Sequence, residues 1–198
     1  MTYSIIGSGA IGSALARRFA SAGINVDIAN TRGPDSLKPL AADLNGAVSP
    51  VPLEKALLAD VVILAVPFVA VKDATRSVAD WKGRIAVDAT NAIDFSNFTP
   101  ADLGGRLSTD IVASHLPGAK VVKAFNTLPA AVLASEPKQS DARRVLFLSS
   151  NDQQAVAEVE SLIARLGFAP IALGKLNEGG RLQQFGGPLM VHSLMKQK

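Results

Sequence analysis

A doubly wound α/β domain with a mostly parallel sheet is the fold class this sequence predicts. Three observations carry it. Short apolar runs alternate with amphipathic stretches along the 198 residues. The strongest run, 61–66, is continuously apolar, as a parallel strand covered on both faces must be. A glycine-rich segment separates the first strand from the first helix. Such alternation implies right-handed crossovers and a ligand crevice beyond the strand C-termini, where the strand order reverses.

The elements follow in order. Residues 3–6 form a short strand ending in glycine. Residues 10–22 read as a helix with Ile11, Leu15 and Phe19 on one face, stopped by Gly23 as its C-cap. A second strand covers 25–30, and a short helix covers 34–44 with Pro34 in its first turn. A weak third strand over 47–51 and a helical turn over 53–58 lead to the fourth strand, 61–66, which Pro67 ends. A helix over 69–81, a fifth strand over 84–89, a loop over 91–100 and a partly helical stretch over 102–114 come next. Strands at 121–125 and 145–148 precede a helix capped by Asp152 and closed by Gly167, then an eighth strand at 169–173. The chain closes with a helical stretch from about residue 178, interrupted by Gly186, Gly187 and Pro188. The expected organisation is one domain over 1–198, with a core over 1–150 and a small C-terminal α/β extension over 151–198.

Composition narrows the function. With 48% hydrophobic and 19% charged residues, disorder is a poor description. The absence of cysteine removes disulfides and thiolate metal sites and suits a reducing cytoplasm. His115 and His192 are too few and too distant for a metal site, so none is expected. The net charge of +3 comes from scattered basic residues, with one Trp and one Tyr to stack on bases, which argues against nucleic acid. The longest apolar run, broken by Pro67, is too short to span a bilayer, and no membrane partner is expected.

Gly7, Ser8, Gly9, Ala10, Ile11 and Gly12 fit the pattern G-x-G-x-x-G. The match is informative because it follows a strand and opens an amphipathic helix, the context of a Rossmann dinucleotide site. Gly7 would make the tight turn, Gly9 would let the pyrophosphate approach the backbone, and Gly12 would let helix and strand pack closely. The helix N-terminus would offer free N–H groups to the phosphates. The second strand ends at Asn30, followed by Thr31 and Arg32, where an NAD site usually places an acid on the ribose. A hydroxyl and a guanidinium fork suit a ribose 2′-phosphate, so NADP(H) is the expected cofactor. Asp27 is read as mid-strand, too early to reach the ribose.

Residues 5–12, Asn30 to Arg32, Ala65 to Pro67, and 121–130 (VVKAFNTLPA) together resemble the NADPH-dependent deazaflavin-coenzyme (F-420) reductase family. Its broader set includes bacterial coenzyme-dependent NADP oxidoreductases and the cytosolic reductase domain of the membrane ferric reductases called STEAP. The glycine loop is common to many families; the segment 123–130 is far more specific. The resemblance implies a homodimer and hydride transfer between NADPH and a small-molecule electron acceptor, a deazaflavin or a flavin. It also implies that Ser8, Gly9, Ala10 and Ile11 hold the pyrophosphate and Thr31 and Arg32 the 2′-phosphate. Val66 and Pro67 would line the nucleotide, and Asn126, Thr127 and Leu128 would face the second substrate.

Hydride transfer between rings can run on proximity alone, and no catalytic acid or base is assigned. His115 reads as a turn residue, His192 as packing in the closing helix, and Lys123 as a strand-edge lysine. Asn91 and Asn126, each just after a strand, are the candidates for orienting a carboxamide or ring, with Asn91 assigned to the cofactor. Two other readings stay open: a reductase of imines or hydroxy acids, which would need a helical domain after residue 173, and a non-catalytic NADP(H) sensor.

Overall fold

In a computed structural model describing residues 1–197, β1 (Tyr3–Ile6) is buried along its whole length and runs straight into the glycine turn. It is followed by α1 (Ala10–Ser21), whose buried face of Leu15, Ala16 and Phe19 covers one side of the sheet. Then come β2 (Val26–Ala29), a 3₁₀ turn (Pro34–Leu37) with α2 (Lys38–Ala42), β3 (Val48–Pro50), α3 (Leu53–Ala56) and β4 (Val61–Leu64). A 3₁₀ turn (Phe68–Ala70) and α4 (Val71–Thr75) lead to β5 (Ile85–Asp88). The hairpin β6 (Ile93–Asp94) and β7 (Thr99–Pro100), then α5 (Ser108–Ser114), precede β8 (Lys120–Ala124) and α6 (Ala130–Ala134). The chain ends with β9 (Lys138–Gln139), β10 (Ala142–Ser150), α7 (Gln153–Arg165), β11 (Ala169–Ala172), a π turn (Leu176–Gly180), α8 (Arg181–Gln183) and β12 (Met195–Gln197).

The main sheet has the order β11-β10-β8-β5-β4-β1-β2-β3. All neighbours along this path are parallel except β10 with β8. The order turns at β1, which pairs with β2 on one side and β4 on the other. A crevice therefore opens beyond Ile6, Ala29 and Leu64. Two apolar clusters, one on each face, sandwich the sheet: Leu15, Phe19 and Ile163 belong to the first, Leu57, Trp81 and Val112 to the second.

Several expectations are corrected. The helix expected over 69–81 stops at Thr75. The chain instead turns inward to bury Trp81, whose backbone N–H donates to the Pro117 carbonyl and whose ring lies under the Arg84 guanidinium. The loop over 91–100 contains the β6–β7 hairpin, and α5 begins only at Ser108. The seventh strand is nine residues long because its first part pairs with β9 and β12. Among the described residues, no helix follows Gln183. Residues 184–191 form turns, among them Gly186 with φ +84°, and His192 follows them as an exposed residue of irregular chain rather than a packed helical one. Gly187 has no room for a side chain against the Leu182 and Gln184 carbonyls, which fixes that turn tightly.

Candidate functional site

At the switch point the three loop glycines differ in what surrounds them. Gly7 adopts φ +110°, and a Cβ there would collide with the Ala65 carbonyl. A Cβ on Gly12 would collide with the Gly7 carbonyl, so Gly12 lets α1 lie close against the turn. Gly9 has nothing within 4 Å of where its Cβ would stand. No protein atom demands glycine there, yet the position faces an open cleft. Gly9 is also the N-cap of α1, with no side chain to cap the helix and no acid in its first turn. The free N–H groups of that turn are left to whatever enters.

The cleft has a volume of about 910 Å³. Gly7, Ser8 and Gly9 form its floor, Asn30, Thr31 and Arg32 one wall, and Val66 and Pro67 the other. Ala10 is exposed beside it, while Ile11 leans into the core and Gly12 is buried, so these two can offer only backbone. Asp27 lies inside β2 and does not line the cleft.

Asn30 organises the wall. Its Nδ2 donates to Ser8 Oγ at 2.9 Å and Ser36 Oγ at 3.0 Å. Its Oδ1 accepts from the Arg32 backbone N–H at 2.9 Å and from Ser36 Oγ at 3.2 Å. The Arg32 guanidinium reaches to 3.5 Å from Ser8 Oγ, placing it across the cleft mouth. The nearby Asp35 carboxyl is turned away onto Lys38 at 2.7 Å. The hydrogen bond from Lys38, then its charge, holds Asp35 below the usual carboxylate range. An exposed hydroxyl at Thr31, a free guanidinium and two serine hydroxyls therefore meet at one rim. Sequence reasoning missed Ser36, whose only signal was its place three residues after a glycine turn. It also missed the far end of the cleft, formed by Leu53, Glu54, Asp73 and Arg76.

The ends of β5 and β8 hold a second polar group. Asn91 Nδ2 donates to the Asn126 carbonyl at 2.9 Å, and Asn126 Nδ2 donates to Asn91 Oδ1 at 3.0 Å. Asn126 Nδ2 also donates to the Gln183 carbonyl at 2.7 Å. Asn126 Oδ1 is buried and has no partner among the described residues. Just before it, Phe125 is fully buried with φ +62°, a conformation costly for a bulky side chain, on the order of 1–3 kcal/mol. Thr127 is buried and Leu128 packs into the core, so neither offers an open surface.

Lys123 is no edge residue. Its strand lies between β5 and β10, and the side chain is fully buried. Its Nζ donates to Asp88 Oδ2 at 3.1 Å and to the Thr90 carbonyl at 2.5 Å, while Asp88 Oδ1 accepts from the Thr90 N–H and hydroxyl. Asp88 and Lys123 stand opposite each other in the β5–β8 register. The signal was available: an acid at the end of the apolar run 85–87 and a lysine between Val122 and Ala124. His115 caps the C-terminus of α5 at a turn, away from both groups.

Residues 2–92 match the family described as NADP oxidoreductase coenzyme F420-dependent. Human metalloreductase STEAP2 is 30% identical over 114 residues, 58% of this chain and 21% of that protein. Rat metalloreductase STEAP3 is 27% identical over 173 residues, 87% of this chain and 33% of that protein. The chain thus spans a third or less of these relatives. Among solved structures, hypothetical protein SMa0349 from Sinorhizobium meliloti is 57% identical with a TM-score of 0.97, covering 100% of this chain and 96% of that one. A candidate F420-dependent NADP-reductase from Arthrobacter sp. FB24 is 27% identical with a TM-score of 0.74, covering 89% and 86%. No helix among the described residues is long and apolar enough to cross a membrane.

Proposed function

Because the chain belongs, through residues 2–92, to the NADP oxidoreductase coenzyme F420-dependent family, we propose that it is an NADP(H)-dependent oxidoreductase passing hydride between NADPH and a deazaflavin or flavin ring. The observation that supports this most is the unoccupied side of Gly9 at the floor of a cleft whose rim carries Arg32, Thr31, Ser8 and Ser36. The bound nucleotide would supply the hydride. The residues of the chain bind and orient. The first-turn N–H groups of α1 receive the pyrophosphate, and Thr31 and Arg32 receive the 2′-phosphate. Val66 and Pro67 would flank the nucleotide, and Asn91 would bind it near the end of β5. Asn126 would then border the acceptor, with Thr127 and Leu128 buried behind it. Asn126 Oδ1, buried without a donor, suits an N–H of a carboxamide or ring. No acid or base is required, which agrees with the charged groups Asp88 and Lys123 being fully engaged with each other and with Thr90.

The Arthrobacter protein, which shares the fold over most of its length, lends this acceptor class its weight. We place the molecule in the cytoplasm as a homodimer with one domain per chain, core 1–150 and extension 151–198, and light scattering checks the assembly. The functional test is stopped-flow mixing of NADPH-loaded protein with FMN, riboflavin and 5-deazariboflavin. Loss of nicotinamide absorbance with one of them is expected. NADPH binding without oxidation by any of them would reduce the protein to a binding module.

A further inference from the structure

In α8, Gln183 lies against the strands β8 and β10. Gln183 is fully buried, and its carboxamide is saturated. Oε1 accepts from Ser149 Oγ at 2.6 Å, and Nε2 donates to the carbonyls of Phe147 at 3.1 Å and Lys123 at 3.3 Å. These three bonds fix the residue over β8 and β10, and so fix where its own backbone carbonyl points. That carbonyl accepts from Asn126 Nδ2 at 2.7 Å. Close docking is built into the backbone as well: a Cβ on Gly179 would collide with Leu173 and Ser149.

An asparagine carboxamide can sit in either of two flips, exchanging its donor and acceptor ends. At Asn126 the choice is made by two oxygen acceptors, Asn91 Oδ1 on one loop and the Gln183 carbonyl on the other, with Met190 Sδ at 3.8 Å beside the same NH₂. Both demand the NH₂ end. The consequence is that Oδ1 is left over, buried and without a partner.

We propose that Gln183 is a positioning residue for the reacting end of the site: it does not touch the ligands, but holds Asn126 in the one flip that leaves its carbonyl oxygen ready to accept. This rests on the reading that cofactor and acceptor meet beyond β5 and β8. A purely structural Gln183 would lower stability when replaced and leave the chemistry alone. A positioning Gln183 acts through Asn126, so its effect must vanish once Asn126 is gone.

The experiment is a double-mutant cycle of Gln183→Ala and Asn126→Leu, with NADPH and whichever of FMN, riboflavin or 5-deazariboflavin the parent reduces. Gln183→Ala is expected to lower kcat roughly tenfold with the NADPH dissociation constant within about twofold. In the Asn126→Leu background it should lower kcat no further. Multiplying losses, or an unchanged kcat with only the melting temperature lowered, overturns the proposal. Ser149→Ala, which removes one of the three anchoring bonds, should give a smaller loss in the same direction. If the parent reduces none of the three acceptors, the functional reading fails and the positioning is judged without turnover. In asparagine-labelled protein, the Asn126 side-chain NH₂ protons should then exchange faster in Gln183→Ala than in the parent. Equal exchange overturns it.

Discussion

Asn91 and Asn126 grip each other reciprocally. The Asn91 side chain donates to the Asn126 backbone carbonyl, and the Asn126 side chain donates to Asn91 Oδ1. Thirty-five residues apart in sequence, they close the loops after β5 and β8 into one unit. The same side chains that face the proposed reacting end therefore also hold it together. Any substitution there changes stability as well as chemistry, and the two must be measured separately.

Asn126→Leu keeps the branched shape, with bulkier ends, but removes the NH₂, leaving Asn91 Oδ1 and the Gln183 carbonyl short of a donor. Urea unfolding should show a loss of about 1–3 kcal/mol. Turnover should fall with every acceptor the parent reduces, while NADPH binding changes by less than about 1 kcal/mol. If cofactor affinity drops as far as turnover does, Asn126 belongs to the nucleotide site instead.

Gly9 and Gly12 should respond in opposite ways. A Cβ at Gly9 has no protein atom within 4 Å, so circular dichroism and the melting temperature of Gly9→Val should hardly change. The side chain would fill the space the pyrophosphate needs, and NADPH fluorescence titration should show no binding. Gly12→Val would drive its side chain into the Gly7 carbonyl and should lower the melting temperature sharply. A Gly9→Val protein that still binds NADPH would mean the loop is only a turn.

The glycine cleft was legible because its determinants are local. Gly7, Gly9, Gly12 and the Asn30 to Arg32 stretch each follow directly on a strand whose apolar run is plain in the sequence. The second polar group was not, because its members meet only through sheet order. Lys123 looks like an edge residue until β10 is placed beyond it, and that placement comes from an antiparallel pairing which no local pattern announces. Gln183 reads as an ordinary helix residue, since nothing nearby in sequence shows that three buried groups surround it. The closing helix was over-read for a related reason. The stretch from about residue 178 was expected to stay helical through Gly186, Gly187 and Pro188, but the turns after Gln184 and the pairing of β12 with β10 take the chain elsewhere.

Arg32→Ala should separate the two nicotinamide cofactors. Arg32 is exposed, its backbone is fixed by Asn30, and its guanidinium lies 3.5 Å from Ser8 Oγ without a carboxylate partner among the described residues. Removing it costs the charge-assisted bonds to a 2′-phosphate and, within the protein, only the long contact to Ser8 Oγ, so calorimetry should show NADPH weakened by about 1–3 kcal/mol and NADH nearly unchanged. Equal losses for both cofactors would move the 2′-phosphate away from this rim. Asn30→Asp should weaken NADPH further, since it puts a negative charge between Ser8, Ser36 and Arg32.

The buried pair of Asp88 and Lys123 should show the asymmetry of internal ion pairs. Lys123→Met leaves a fully buried carboxylate, still held by the Thr90 N–H and hydroxyl but with its cation gone, and strips the Thr90 carbonyl of its donor. Asp88→Asn leaves the opposite charge uncompensated. Each single change should cost about 3–5 kcal/mol in urea unfolding. The double variant, Lys123→Met with Asp88→Asn, buries no charge and should be more stable than either single one. Because both groups are fully buried, added salt should barely alter these differences, unlike those at surface pairs such as Asp35 and Lys38. The Thr90 carbonyl is one residue from Asn91, so the single variants should also slow turnover beyond what partial unfolding explains, measured at a temperature where each is fully folded. Strictly additive losses in the double variant would show that Asp88 and Lys123 do not interact across the sheet, and that Lys123 is held by the Thr90 carbonyl alone.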